Sequence, residues 1–255
     1  MKIAVCVKHA VDEAELKVDS AGNPQLAGAA SRMSTFDKNA VEEALRLKAA
    51  HTGEVTIITV GVPEAKKSMK EALAMGADRG VLVTANPMSI DTRRTAELLA
   101  AAIRKGGPYD VILCSEGSSD NYSGLVPPML GEYLGVPYFG YVRKIEVADK
   151  TAKAERSLED SIEVVEAPLP FVASVVSEIN EPRYPTLIQI MQAGKKPMEE
   201  LAPDALLPGS EPAQTLVTSM KAQAMSRKKV VYEGAPEESA KRLVDALAAE
   251  GVLPR

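Results

Sequence analysis

The chain has 255 residues, with 30 basic and 35 acidic side chains, a net charge of −5, and 45% hydrophobic against 25% charged residues. That balance belongs to a water-soluble globular protein with a sizeable core, and the dispersed lysines and arginines exclude a nucleic-acid footprint. Met1-Lys2 leads straight into a short apolar run without a cleavage pattern, and no apolar stretch approaches the ~18 residues that cross a bilayer, so a cytoplasmic protein without direct membrane insertion is expected.

Residues 2–8 read as a buried parallel strand, and a polar, glycine-containing loop runs from Asp12 to Ser34. Ser34 or Thr35 caps a helix with Asp37 in its first turn and Ala40, Val41, Ala44, Leu45 and Leu47 on its apolar face. Val55 to Val60 is a second strand, and Gly61-Val62-Pro63 turns into a helix from Glu64 to Met75. The unit then repeats: a strand Gly80 to Val83, a helix opened by Ser89 and Asp91 and ending at Arg104, and a strand Tyr109 to Cys114. Strands and helices alternating at this rhythm predict right-handed βαβ units, hence an α/β fold with a parallel sheet covered on both faces.

A proline-started helix follows from Pro127 to Leu134. Tyr141 to Ala148, Ala152 to Leu158 and Ser161 to Ala167 then alternate around Asp149-Lys150 and Glu159-Asp160, which predicts a small antiparallel β insertion. Pro170 to Val176 returns to the core. Two prolines, Pro182 and Pro185, lead into a short helix whose apolar stripe is Leu187, Ile188, Ile190 and Met191, with Gly194, Lys195 and Lys196 suited to its C-terminus. The stripe fits either a core-facing helix or an exposed anchor. Beyond Pro197 the composition shifts to proline, alanine and polar residues until a last helix near Pro236 to Ala249. The expected organisation is a domain over 1–197, with a surface loop at 180–196, and an extended C-terminal arm over 198–255 that packs on this domain or on another chain.

In an open parallel sheet, ligands bind beyond the carboxyl ends of the strands where strand order reverses. Three loops qualify: Cys6 to His9, Val60 to Pro63, and Ser115 to Gly124. The last leads into a helix and reads equally as a phosphate cradle or as a polar surface loop. No G-x-G-x-x-G follows the first strand and no Walker motif occurs. Cys6 and Cys114 fall in strands, where a small buried hydrophobe is the default role, and the two histidines, His9 and His51, stand alone, so no metal site or catalytic group is expected. The adjacent pairs Glu42-Glu43 and Glu199-Glu200 point apart on a helix and are expected to be solvated.

The stretch Asn180-Glu181-Pro182-Arg183-Tyr184, with Thr186-Leu187 and Ile190-Met191, resembles the signature of the beta subunit of electron-transfer flavoproteins. Val5-Cys6-Val7-Lys8 with Val11-Asp12, Asn39 to Lys48, and Ala72 to Gly80 resemble the same family over nearly the first 200 residues. The resemblance implies a Rossmann-like domain in a heterodimer with an alpha subunit that carries the electron-transferring FAD. It implies electrons taken from dehydrogenases, such as acyl-CoA dehydrogenases, and passed to an acceptor such as a quinone oxidoreductase, in the cytoplasm or beside a membrane complex. Leu187, with Ile188 and Met191, would be the anchor for the dehydrogenase.

It also implies an adenine nucleotide held by Cys6, the Ser34, Thr35, Phe36 and Asp37 turn, Val60, and the loop of Asp120, Asn121, Tyr122, Ser123, Gly124, Leu125 and Val126. In electron-shuttling members that loop carries Asn-Gln-Thr-Gly and the nucleotide is AMP. In bifurcating members, which oxidise NADH, it carries Asp-Thr-Ala-Gln-Val-Gly-Pro and holds a second FAD. Asn121 to Pro128 reproduces neither, so both identities stay open. A rival of another class is a stand-alone nucleotide-binding protein of the universal-stress type.

Overall fold

The computed structural model describes residues 1–26, 28–209, 213–222 and 228–253. Its frame is one nine-stranded sheet. In chain order the strands are β1 (Lys2–Cys6), β4 (Glu54–Gly61), β5 (Arg79–Thr84), β6 (Val111–Ser115), β7 (Tyr138–Ala148), β8 (Thr151–Ser157), β9 (Ile162–Pro168), β10 (Phe171–Val175) and β11 (Met198–Leu201). Their spatial order is β11-β5-β4-β1-β6-β10-β7-β8-β9. All pairs from β11 to β7 are parallel, and β7-β8 and β8-β9 are antiparallel.

The alternation of side chains along each strand divides the core in two. In β1, Ile3 and Val5 face the layer formed by helices α1 (Thr35–His51) and α2 (Lys66–Met75), whereas Ala4 and Cys6 face α3 (Thr92–Gly106) and α4 (Val126–Leu134). Both layers are apolar because the central strands are covered on both faces, which is why the strands read as continuous hydrophobic runs. Asp91 caps α3, its carboxylate accepting from the Arg94 amide at 2.8 Å.

The α/β fold expected from the alternation is the one observed, and so is the antiparallel insertion: β7 pairs in parallel with β10 and carries β8 and β9 as an extension of the main sheet. Two local features differ from the expectation. The loop from Asp12 to Ser34 is bounded by a short ladder, β2 (His9–Val11) against β3 (Ser31–Met33), whose three-residue strands are too short to leave a periodic signal. After Pro197 the chain adds β11 beside β5, and Leu201 is buried against the α3 layer. The last helix, Pro236–Ala249, has no buried residue.

Phe171 is fully buried in β10, with its ring 5.2 Å from that of Phe139 on β7. Phe171→Ala should therefore lower the unfolding free energy by about 3–5 kcal/mol, read from chemical denaturation curves.

Candidate functional site

From β1 the chain moves outward through β4 and β5, then returns to place β6 on the other side of β1. Strand order thus reverses between β1 and β6, and the loops beyond their carboxyl ends converge. The Lys8 ammonium lies 2.6 Å from Asp120 Oδ1, 3.2 Å from Ser118 Oγ and 3.4 Å from Asn121 Oδ1. The Lys8 amide donates to Asp37 Oδ2 at 2.7 Å, so the first turn of α1 is tied to the same loop. Ser34, the residue before α1, makes no cap bond with its side chain; its hydroxyl accepts from the Ser119 amide at 3.2 Å instead. A residue placed by sequence as a helix cap is used to join two loops.

Asp37 is fully buried. The Ser115 hydroxyl lies 2.5 Å from Asp37 Oδ1 and 2.7 Å from the Gly117 carbonyl. That hydroxyl has one proton for two acceptors, and a protonated Asp37 satisfies both by donating to Ser115 Oγ. Burial pushes the Asp37 carboxyl up to about 7, against the hydrogen bonds from Ser115 and the Lys8 amide. Burial also pushes Asp120 up, but the hydrogen bonds from Lys8 and Ser118 and the lysine charge outweigh it and hold Asp120 below its ordinary value.

The remaining residues line the rim. Tyr122, with a left-handed φ of 45°, lays its ring edge-on to Phe36 at 5.4 Å and over Gly117, where an added Cβ would stand 2.5 Å from the ring. Gly124 also takes a left-handed φ, of 64°. The Ser123, Gly124, Leu125 and Val126 amides have no intramolecular acceptor among the described residues. Free amides, the Ser123 hydroxyl and the Lys8 ammonium fit an anion such as a phosphate, although Pro127 and Pro128 remove two amides from the start of α4. Thr35 is exposed, Cys6 ends β1 beside β6, and Val60 lies on β4, across β1 from the cluster. Two clefts, of about 410 Å³ beside Arg79 and Met198 and about 310 Å³ beside Arg46 and Ile145, lie away from these loops. Among the described residues no cluster suits a metal ion, and no helix is long and apolar enough to cross a membrane.

A second surface lies on α5 (Leu187–Ala193). A capping box starts it, with the Thr186 amide donating to Gln189 Oε1 at 2.7 Å. Ala193 is buried against the α1 and α2 layer, while Leu187 is 73% and Met191 70% exposed, with Ile188 and Ile190 also outward. The stripe therefore faces away from the core of this chain.

Residues 26–206 match the family described as electron transfer flavoprotein domain. The chain belongs to the electron transfer flavoprotein family. It is 34% identical over 253 residues to the electron transfer flavoprotein subunit beta of Bacillus subtilis, covering 98% of each chain. It is 33% identical over 261 positions to that of Thermoanaerobacterium thermosaccharolyticum, and 39% identical over 198 to that of Clostridium acetobutylicum, there covering 77% of this chain and 76% of the relative.

Lys8, Ser115 and Ser118 lie in loops that the sequence singles out beyond the strand ends but are absent from the nucleotide contacts that the resemblance implies; Lys8 and Ser118 join the rim, and Ser115 holds Asp37 beneath it. Glu42 and Glu43 are buried, contrary to the expectation of solvated carboxylates, because Arg183 and Asn180 come from the far end of the sequence to meet them. Glu199 and Glu200 are exposed as expected and pair with Lys105 and Lys66. His9 is half-buried with Nδ1 2.8 Å from Ser68 Oγ, a structural partner.

A raised carboxyl is stabilising while protonated and is lost as pH rises through its folded value. Asp37 therefore contributes stability below about pH 4 that disappears between about pH 4 and 7, on the order of 4 kcal/mol at full effect. Asp37→Asn removes this dependence, so the stability of the variant relative to the parent should rise over that interval when unfolding is measured at a series of pH values.

Proposed function

We propose that this chain is the beta subunit of a heterodimeric electron-transfer flavoprotein. In this reading it accepts electrons from dehydrogenases, acyl-CoA dehydrogenases among them, for delivery through an FAD of the alpha subunit to a quinone-reducing or other acceptor. The observation that carries the reading is α5: a capped, packed helix that leaves Leu187, Ile188 and Met191 in water serves a partner better than it serves this chain. The three relatives named beta subunits support the same assignment.

Bound flavin supplies the electron chemistry; the residues here bind, orient and dock. The rim of Lys8, Ser118 and the Ser123 to Val126 amides would hold the phosphate of an adenine nucleotide, with the Phe36 and Tyr122 rings beside it. A phosphate entering there would compete with Asp120 for Lys8. Residues 198–201 pack on this chain as β11, and the apolar side chains that the rest of the C-terminal arm leaves outward, Leu216, Val217, Val230, Val231, Leu243 and Val244, favour packing of the arm beyond β11 on the alpha subunit.

Nucleotides released from the purified heterodimer and quantified by chromatography test the cofactor assignment. One FAD and one AMP mean an electron shuttle, two FAD mean a bifurcating subunit, and no FAD overturns the function. Lys8→Met should lower retention of the nucleotide of this subunit on the order of tenfold. Leu187→Ala should weaken coupling to the dehydrogenase while the heterodimer keeps its flavin; unchanged transfer kinetics would remove the anchor.

A further inference from the structure

The segment that leads into α5 is fastened to buried polar side chains of α1 by a set of half-buried contacts that the anion-fitting rim does not use. Glu42 is 4% exposed and receives Arg183 twice, Nε to Oε2 at 2.7 Å and Nη2 to Oε1 at 2.9 Å, while the Arg183 amide reaches Oε2 at 3.2 Å. One turn earlier, Asn39 Nδ2 donates to the Ser177 and Asn180 carbonyls at 3.0 and 2.8 Å. Asn180 Nδ2 in return donates to the Asn39 carbonyl at 3.0 Å and to Glu43 Oε2 at 3.1 Å. Asn39, Glu42 and Glu43 share one face of α1, so a single rigid helix grips the chain over Ser177–Arg183.

The other end of α5 is held independently. Lys196, suited by sequence to the C-terminus of α5, donates instead to the Leu73 and Ala77 carbonyls at the end of α2, at 2.8 and 2.6 Å. Between these two fastenings α5 presents its exposed stripe, and only Ala193 of the helix is buried. A helix of seven residues is too short to hold its shape alone, so its direction is set by what grips its ends.

We infer that Glu42 and Arg183 are positioning residues for partner docking: they fix where α5 stands, so that the dehydrogenase meets a preformed anchor. The inference rests on the reading of α5 as the docking element. The fork of a guanidinium on a carboxylate fixes orientation as well as distance, which a single lysine bond does not. Glu42 is well placed to stay charged. Burial pushes its carboxyl up, but the Arg183 hydrogen bonds and charge, with Arg46 behind them, bring it below its ordinary value. A preformed anchor binds without the ordering cost that a loose segment carries.

The experiment uses the heterodimer with its alpha subunit and an acyl-CoA dehydrogenase as electron donor. Steady-state transfer and amide hydrogen exchange over 186–193 are followed for Glu42→Gln, Arg183→Lys and the double variant Glu42→Gln/Arg183→Gln, which leaves no buried charge unpaired if a single variant folds poorly. In Glu42→Gln and in the double variant, KM for the dehydrogenase should rise about tenfold with kcat within about twofold, and exchange over 186–193 should quicken while that of β1 and β6 stays unchanged. Arg183→Lys should fall between these and the parent. Leu187→Ala separates the two layers of the inference. If it raises KM but the Glu42 and Arg183 variants do not, or if their KM rises without faster exchange over 186–193, the positioning role is overturned and the docking role stands. If Leu187→Ala leaves KM unchanged, both fall.

Discussion

Three buried acidic side chains on one helix, Asp37, Glu42 and Glu43, hold the two candidate surfaces of this protein together. Each has drawn a partner from elsewhere in the chain: Asp37 the Lys8 amide and Ser115, Glu42 the Arg183 guanidinium, Glu43 the Asn180 amide group. A buried carboxyl group, charged or protonated, needs such hydrogen-bond partners. The same requirement that makes α1 costly to bury therefore makes it a junction between the rim of the switch point and the segment leading to α5.

The junction depends on the sheet beneath it. Reversal of strand order between β1 and β6 brings residues more than a hundred positions apart, Lys8 and Asp120, to 2.6 Å. The apolar layers on either face fix the strands, and the strands fix the loop ends. The rim itself is then assembled from short-range polar contacts, with Ser34 diverted from capping α1 to receive the Ser119 amide. The rings of Phe36 and Tyr122 close one side, at the expense of a left-handed backbone at Tyr122.

Much of the frame was legible in the chain. The first strand, read from its apolar run over residues 2–8, is observed at Lys2–Cys6; the helices read as ending at Met75 and Leu134 end there, and the last helix, Pro236 to Ala249, is bounded as its sequence suggests. The ladder of β2 and β3 was not legible, since three-residue strands make no period. The attachment of β11 was not either, because an edge strand of four residues is recognised only by its neighbour β5. The candidate loops were legible as loops beyond strand ends, yet their chemistry was not: the fate of Ser34, Ser115 and Asp37 depends on which side chains arrive from other loops.

The sequence by itself determined the α/β class, the family and the apolar stripe of Leu187, Ile188, Ile190 and Met191, because hydrophobic period and local motif are properties of neighbouring residues. Only the tertiary structure decided that the stripe faces water, that Glu42 and Glu43 are buried, and that Lys196 caps α2 rather than α5. Those outcomes turn on contacts between residues far apart in the chain, as with Glu42 and Arg183, and no local pattern encodes the partner of a buried charge.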